Sequence, residues 1–72
     1  MTLLQQLGKR IVYLRSVKGW SQLTLSVEAN VNRNYLSDLE RGRRNPTLKV
    51  MEKIAFALSI DLATLFKGIK AI

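Results

Sequence analysis

The sequence contains no cysteine and no histidine. The first absence removes disulfides, thiolate metal sites and cysteine nucleophiles; the second removes the commonest metal ligand and the commonest general base. Only five carboxylates are present, scattered singly, and no glycine-rich phosphate loop occurs. No acid–base pair or nucleophile with its base can be assembled from neighbours in sequence, so neither an enzyme nor a cofactor or metal is expected. No small-molecule ligand is evident either. Glycine and proline are scarce, at four and one, and 47% of residues are hydrophobic, which argues against wholesale disorder. No apolar run approaches the roughly 20 residues of a membrane span, and the first ten residues lack a basic region followed by an apolar signal core. A cytoplasmic protein without a membrane partner is the expectation.

What is abundant is positive charge. Twelve Lys and Arg stand against five Asp and Glu, a net charge of +7 on 72 residues, enough to attract polyanions. A chain of this length is read as a single domain, residues 1–72, with a thin core.

Apolar spacing divides the chain into helices. Leu4, Leu7, Ile11 and Leu14 recur at steps of three and four, predicting a first helix from Leu3 to Val17 that stops at Lys18 and Gly19. Gly8 lies inside that pattern, at an intrinsic cost of about 1 kcal/mol relative to alanine. Ser21 can cap a second helix from about Gln22 to Ala29. Trp20, just before the cap, has two readings: a staple packing on Leu25, or a stacking platform for bases; the spacing favours the staple. Asn30 suits a left-handed turn, and Asn32 can cap a third helix from Arg33 to about Arg41. Gly42 ends it. Pro46 and Thr47 then start a fourth helix reaching about Ser59, with Leu48, Met51, Ile54, Ala55 and Leu58 forming its inward face. Asp61 caps a last short helix. The expected fold is all-α, a compact unit of five helices, with the first, fourth and fifth supplying most of the core. The tail after Phe66 allows no assignment.

The segment 22–40 is organised as two short helices at a tight turn, with Leu25, Ala29, Val31, Leu36 and Leu39 inward. At 100° per residue, Asn34, Ser37 and Arg41 point opposite to Leu36 and Leu39, with Arg33 and Asp38 flanking and Tyr35 at the border. These are side chains suited to base edges: arginine for guanine, asparagine for adenine, aspartate for a cytosine amino group, and serine as a permissive partner. Each taken singly also fits an ordinary solvated face, and Asp38 could pair with Arg41 three residues on. Around the helix lie Gln22, Asn32, Tyr35, Arg41 and the connector Arg43, Arg44 and Asn45, types that meet phosphates.

The segments LGKRIVYLR, GWSQLTLSVEANVNRNYLSDLERGRRNP and TLKVMEKIAFALSIDLATLF resemble the lambda repressor and Cro-like helix-turn-helix family, most closely the controller proteins of restriction-modification systems. The resemblance runs from about Leu7 to Phe66. Ser26 stands where the family packs alanine, and Asn30 where it has a turn glycine. The resemblance implies a lambda-repressor-like domain acting as a homodimer on double-stranded DNA with a roughly palindromic operator. It implies Arg33, Asn34 and Ser37 as base readers, Gln22, Asn32, Tyr35, Arg44 and Asn45 as phosphate contacts, and an ion pair between Arg15 and Glu40. It also implies a dimer surface around the fifth helix, at Ile60, Leu62, Leu65, Phe66 and Ile69. Together with Leu58 and Ile72, these are more apolar residues than one thin core needs, although they could simply complete the monomer. A phage- or plasmid-type repressor or an antitoxin-type regulator is the near alternative. A protein–protein module using the basic face is the alternative from another class.

Overall fold

The structure is a computed structural model that describes residues 1–70; Ile72, counted above among the surplus apolar residues, lies outside them. Five helices follow in order: α1 (Leu3–Val17), α2 (Gln22–Ala29), α3 (Arg33–Glu40), α4 (Leu48–Ala57) and α5 (Leu62–Leu65). Their boundaries are set locally. Thr2, Ser21, Asn32, Thr47 and Asp61 each accept, through a side-chain oxygen, the backbone N–H three residues on, satisfying one orphan donor per helix. Thr2 adds a full capping box, because Gln5 returns its side-chain oxygen to the Thr2 N–H at 3.0 Å.

The C-terminal ends of α1 to α4 share one device. Gly19, Asn30, Gly42 and Ser59 all have positive φ, and in each case the N–H of the next residue bonds a carbonyl five positions back: Trp20 to Arg15, Val31 to Ser26, Arg43 to Asp38 and Ile60 to Ala55. This is the Schellman arrangement, which closes the last turn while reversing the chain. Asn30, at φ 52° and ψ 49°, takes the left-handed conformation its side chain tolerates and makes the tight turn between α2 and α3. Ser59 was expected to continue the fourth helix; its positive φ ends α4 at Ala57 instead.

The core consists of Leu7 and Ile11 from α1, Leu25 and Ala29 from α2, Leu36 and Leu39 from α3, Met51, Ile54 and Ala55 from α4, then Leu58 and Leu65. It is shared nearly evenly among the first four helices, whereas α5 buries one side chain; this corrects the expectation that helices one, four and five dominate. Trp20 packs half-buried against the core, with the Lys18 ammonium 4.7 Å from its ring centre, so the tryptophan is a packing residue and its face is already occupied by a cation. Leu48, expected inward, is 68% exposed because it is the first residue of α4 and overhangs a cleft instead of entering the core. That cleft, of about 450 Å³, lies between α1 and the start of α4, with Leu3, Leu4, Leu48, Met51 and Phe66 among its walls.

Gly8 has a purpose the spacing does not reveal. A β-carbon there would overlap the Glu40 carbonyl oxygen and lie 2.7 Å from that of Leu39, so the glycine lets α1 approach the last turn of α3 backbone to backbone. Polar bonds fasten the far side. Arg10 Nη2 donates to the Thr64 carbonyl at 2.8 Å, and Gln6 exchanges two hydrogen bonds with the Lys70 backbone at 2.9 and 3.0 Å, drawing the tail onto α1.

Candidate nucleic-acid interface

Helix α3 is held on its inner side by Leu36 and Leu39, both fully buried, and on its α1 side by the contact at Gly8. Its C-terminal turn is fixed by an ion pair. Arg15 donates from Nε to Glu40 Oε2 at 2.7 Å and from Nη2 to Glu40 Oε1 at 2.9 Å, a bidentate geometry. Gln22 Nε2 donates to the same Oε1 at 3.0 Å, and Arg15 Nη1 reaches the Trp20 carbonyl at 3.2 Å. The two side chains retain only 17% and 5% of their exposure. The hydrogen bond donated to Glu40 raises the Arg15 pKa above its ordinary value, partial burial works against it, and the Glu40 charge adds to the rise. One carboxylate thus joins the end of α1, the start of α2 and the end of α3.

This network revises one expected contact. Gln22 stands half-buried at the start of α2, with one amide N–H committed to Glu40, so only the other remains to meet a phosphate. Gln22 therefore supports the frame that holds α3.

The outward face of α3 carries Arg33, Asn34 and Arg41, all exposed, with Ser37 and Asp38 half-buried beside them. Among the described residues no ion pair engages Arg33 or Arg41. Asn32 uses its Oδ1 for the cap, leaving its amide nitrogen outward. Arg43, Arg44 and Asn45 are exposed on the connector, which the Arg43-to-Asp38 backbone bond of 2.9 Å folds back over the last turn of α3. The structure brings Arg44 beside Asp38 and Tyr35, whereas Arg41 lines a surface hollow with Gln5 and Lys9 of α1 and Asn45 lines the cleft with Leu3 and Leu48.

Asp38 has a different partner from the expected one. Its Oδ2 lies 3.6 Å from Arg44 Nε, and Arg41 forms no pair with it. The reversal at Gly42 is the reason, because it carries residue 44 back beside residue 38. The Arg44 guanidinium carbon also sits 5.0 Å from the Tyr35 ring centre.

The surface expected to bind a second copy is also revised. Leu65 is completely buried within the monomer and has no surface to offer a partner. Ile60, Leu62, Phe66 and Ile69 are half-buried against the core. The large exposed apolar side chain near them is Phe56, at 84%, which the helical spacing leaves on the polar side of α4 and which sequence reasoning passed over. Its signal was an aromatic residue between Lys53 and Ser59, where that face is otherwise polar.

With this geometry in view, comparison with known proteins is decisive about family: residues 13–65 match the helix-turn-helix family. The chain belongs to the helix-turn-helix family. Among solved structures it is similar to the restriction-modification controller protein C.AhdI from Aeromonas hydrophila, with a TM-score of 0.85 and 41% identity over 88% of this chain and 96% of that one. It is 40% identical over 58 residues to the immunity repressor protein of Bacillus phage phi105, matching 81% of this chain and 40% of that protein. It is 41% identical over 55 residues to the control protein C.BamHI of Bacillus amyloliquefaciens, covering 75% and 68% respectively. The chain thus spans about two fifths of the phage repressor's length. In helix-turn-helix terms, α2 is the supporting helix, Asn30 the turn, and α3 the helix presented to a ligand. Among the described residues no helix is long and apolar enough to cross a membrane.

Proposed function

We propose that this helix-turn-helix chain is a sequence-specific transcriptional regulator that inserts α3 into the DNA major groove and binds as a homodimer to a roughly palindromic operator. The observation carrying this reading is the outward face of α3: Arg33, Asn34, Ser37 and Arg41 form a polar stripe on a helix whose other sides are fixed by core and backbone contacts. Arg33, Asn34 and Ser37 read base edges, with Asp38 as an acceptor beside them. Asn32, Tyr35, Arg41, Arg43, Arg44 and Asn45 meet phosphates, helped by the free amide hydrogen of Gln22. Likeness to C.AhdI over almost its whole length favours a controller of a restriction-modification operon over a phage-type repressor. The half-exposed residues of the α4–α5 corner, with Phe56, form the surface for the second copy.

Selection of duplexes from a random pool tests the central reading, and an enriched sequence with two related half-sites is the expected outcome. Arg33→Ala should cost about 1–3 kcal/mol on that duplex and relax preference at one base position. Arg43→Ala, at an exposed arginine with no ion-pair partner among the described residues, should weaken specific and random duplexes alike, with a shallower salt dependence. Binding that ignores sequence throughout the salt series would leave only a basic protein–protein or polyanion module. Sedimentation of Phe56→Asp tests the dimer surface, since Leu65→Asp would strike the core; an unchanged dimer mass removes α4 from the contact.

A further inference from the structure

Asp38 stands between the two groups of DNA-facing residues, and its surroundings give it a role beyond either. On one side lies the stripe of Asn34, Ser37 and Arg41; on the other, Arg44 rests 3.6 Å from the carboxylate and 5.0 Å from the Tyr35 ring centre. Tyr35 is itself fixed, its N–H capped by Asn32 and its ring packed against the core. Arg44 is thus parked by one carboxylate and one aromatic face on a connector that the Arg43-to-Asp38 backbone bond holds in register. Both members of the pair are substantially exposed, at 53% and 37%, so the pair is weak and exchangeable.

We propose that Asp38 couples base reading to phosphate binding by tethering Arg44. This inference rests on the DNA-reading role of α3 proposed above. On a duplex lacking a suitable base, the carboxylate competes with phosphate for Arg44 and lowers the share of protomers whose Arg44 makes a phosphate contact. On a duplex that offers a base amino group, cytosine N4 or adenine N6, the carboxylate turns to accept from it and releases Arg44 to a phosphate. The carboxylate that accepts from the base is the one that restrains the arginine, so a correct base adds a phosphate contact. Asp38 is then a positioning residue for Arg44 as well as a reader, and sequence discrimination exceeds what its own hydrogen bond supplies.

Salt dependence measures this directly, because each phosphate neutralised adds about 0.9 to the slope of log affinity against log salt. The probes are the duplex that the wild-type protein enriches from a random pool and a random-sequence duplex of equal length. They are titrated by fluorescence anisotropy with wild type, Asp38→Ala, Arg44→Ala and the double variant, each checked for helicity by circular dichroism. The wild-type slope on the enriched duplex is expected to exceed that on random DNA, by up to about 0.9 per bound protomer. Asp38→Ala should steepen the random-DNA slope to match, whereas Arg44→Ala and the double variant should show one common slope on both duplexes. Equal wild-type slopes on the two duplexes overturn the tether while leaving sequence reading intact. So does an Asp38→Ala effect of the same size with and without Arg44, which would reduce Asp38 to a charge in the field of the phosphates. A pool yielding no preferred duplex overturns both the reading and the tether.

Discussion

Two ion pairs flank α3, and they are opposites. Arg15 and Glu40 meet at 2.7 Å with two parallel hydrogen bonds and little exposure, whereas Arg44 and Asp38 stand 3.6 Å apart in solvent. The first links three helices and adds a Gln22 amide to the same carboxylate; the second links α3 only to the connector after it. Burial makes the difference. A shielded pair cannot lose one member without stranding the other charge, while water replaces either member of an exposed pair at little cost. One side of the helix is therefore built to stay, and the other to exchange partners.

The strongest way to break this contrast is Glu40→Ala. It leaves Arg15 largely buried without its partner and is expected to cost about 3 kcal/mol, the lower end of the range for broken buried pairs because Arg15 keeps some exposure. Urea unfolding reads it as a lower midpoint. Replacing both Arg15 and Glu40 by methionine should be less harmful than either single change, since no charge is then stranded. By contrast, Asp38→Ala should move the midpoint by no more than about 0.5 kcal/mol. Equal losses from the two sides would erase the distinction.

Gly8→Ala should come next. The added methyl meets the Glu40 and Leu39 carbonyls, which are backbone and cannot rotate away, so a loss of about 1–3 kcal/mol is expected despite the better helix propensity of alanine. The same unfolding experiment shows whether α1 and α3 are in fact rigidly apposed; a stabilised variant would mean they can separate.

The smallest effect concerns Asp61 at the start of α5. The Thr64 side chain and then the Thr64 backbone N–H hydrogen-bond its carboxylate, lowering its pKa below the ordinary aspartate value. The folded value is the lower one, so this contribution is present above the unfolded value of about 3.9 and is lost as pH falls through the folded value. An NMR titration of Asp61 should show a midpoint below that of a model aspartate, and Thr64→Val should move it upward.

What the sequence made legible follows the same division between local and distant causes. Ser21, Asn32, Thr47 and Asp61 were readable as caps, and Asn30 as a turn, because each acts on backbone within three residues of itself. The side of α3 turned away from the core was readable from the places of Leu36 and Leu39. Gly8 was not, because its reason is a backbone 32 positions away in sequence. Leu48, Leu65 and Phe56 were misjudged or passed over because helical spacing gives a residue's direction without saying whether another element lies there. The Asp38 partner escaped for a related reason: spacing along a helix finds Arg41, but only the chain reversal at Gly42 brings Arg44 into reach.

The close approach at Gly8 also bears on how such a protein can change over generations. With α1 against the Glu40 and Leu39 carbonyls, α3 has no room to move closer to α1. On the DNA-reading role proposed above, new preferences come from exchanging side chains on the outward face, exposed at Arg33 and Asn34 and half-buried at Ser37. A frame this unyielding makes the outward stripe a replaceable cassette, so that diversification of targets and maintenance of the fold proceed on separate residues.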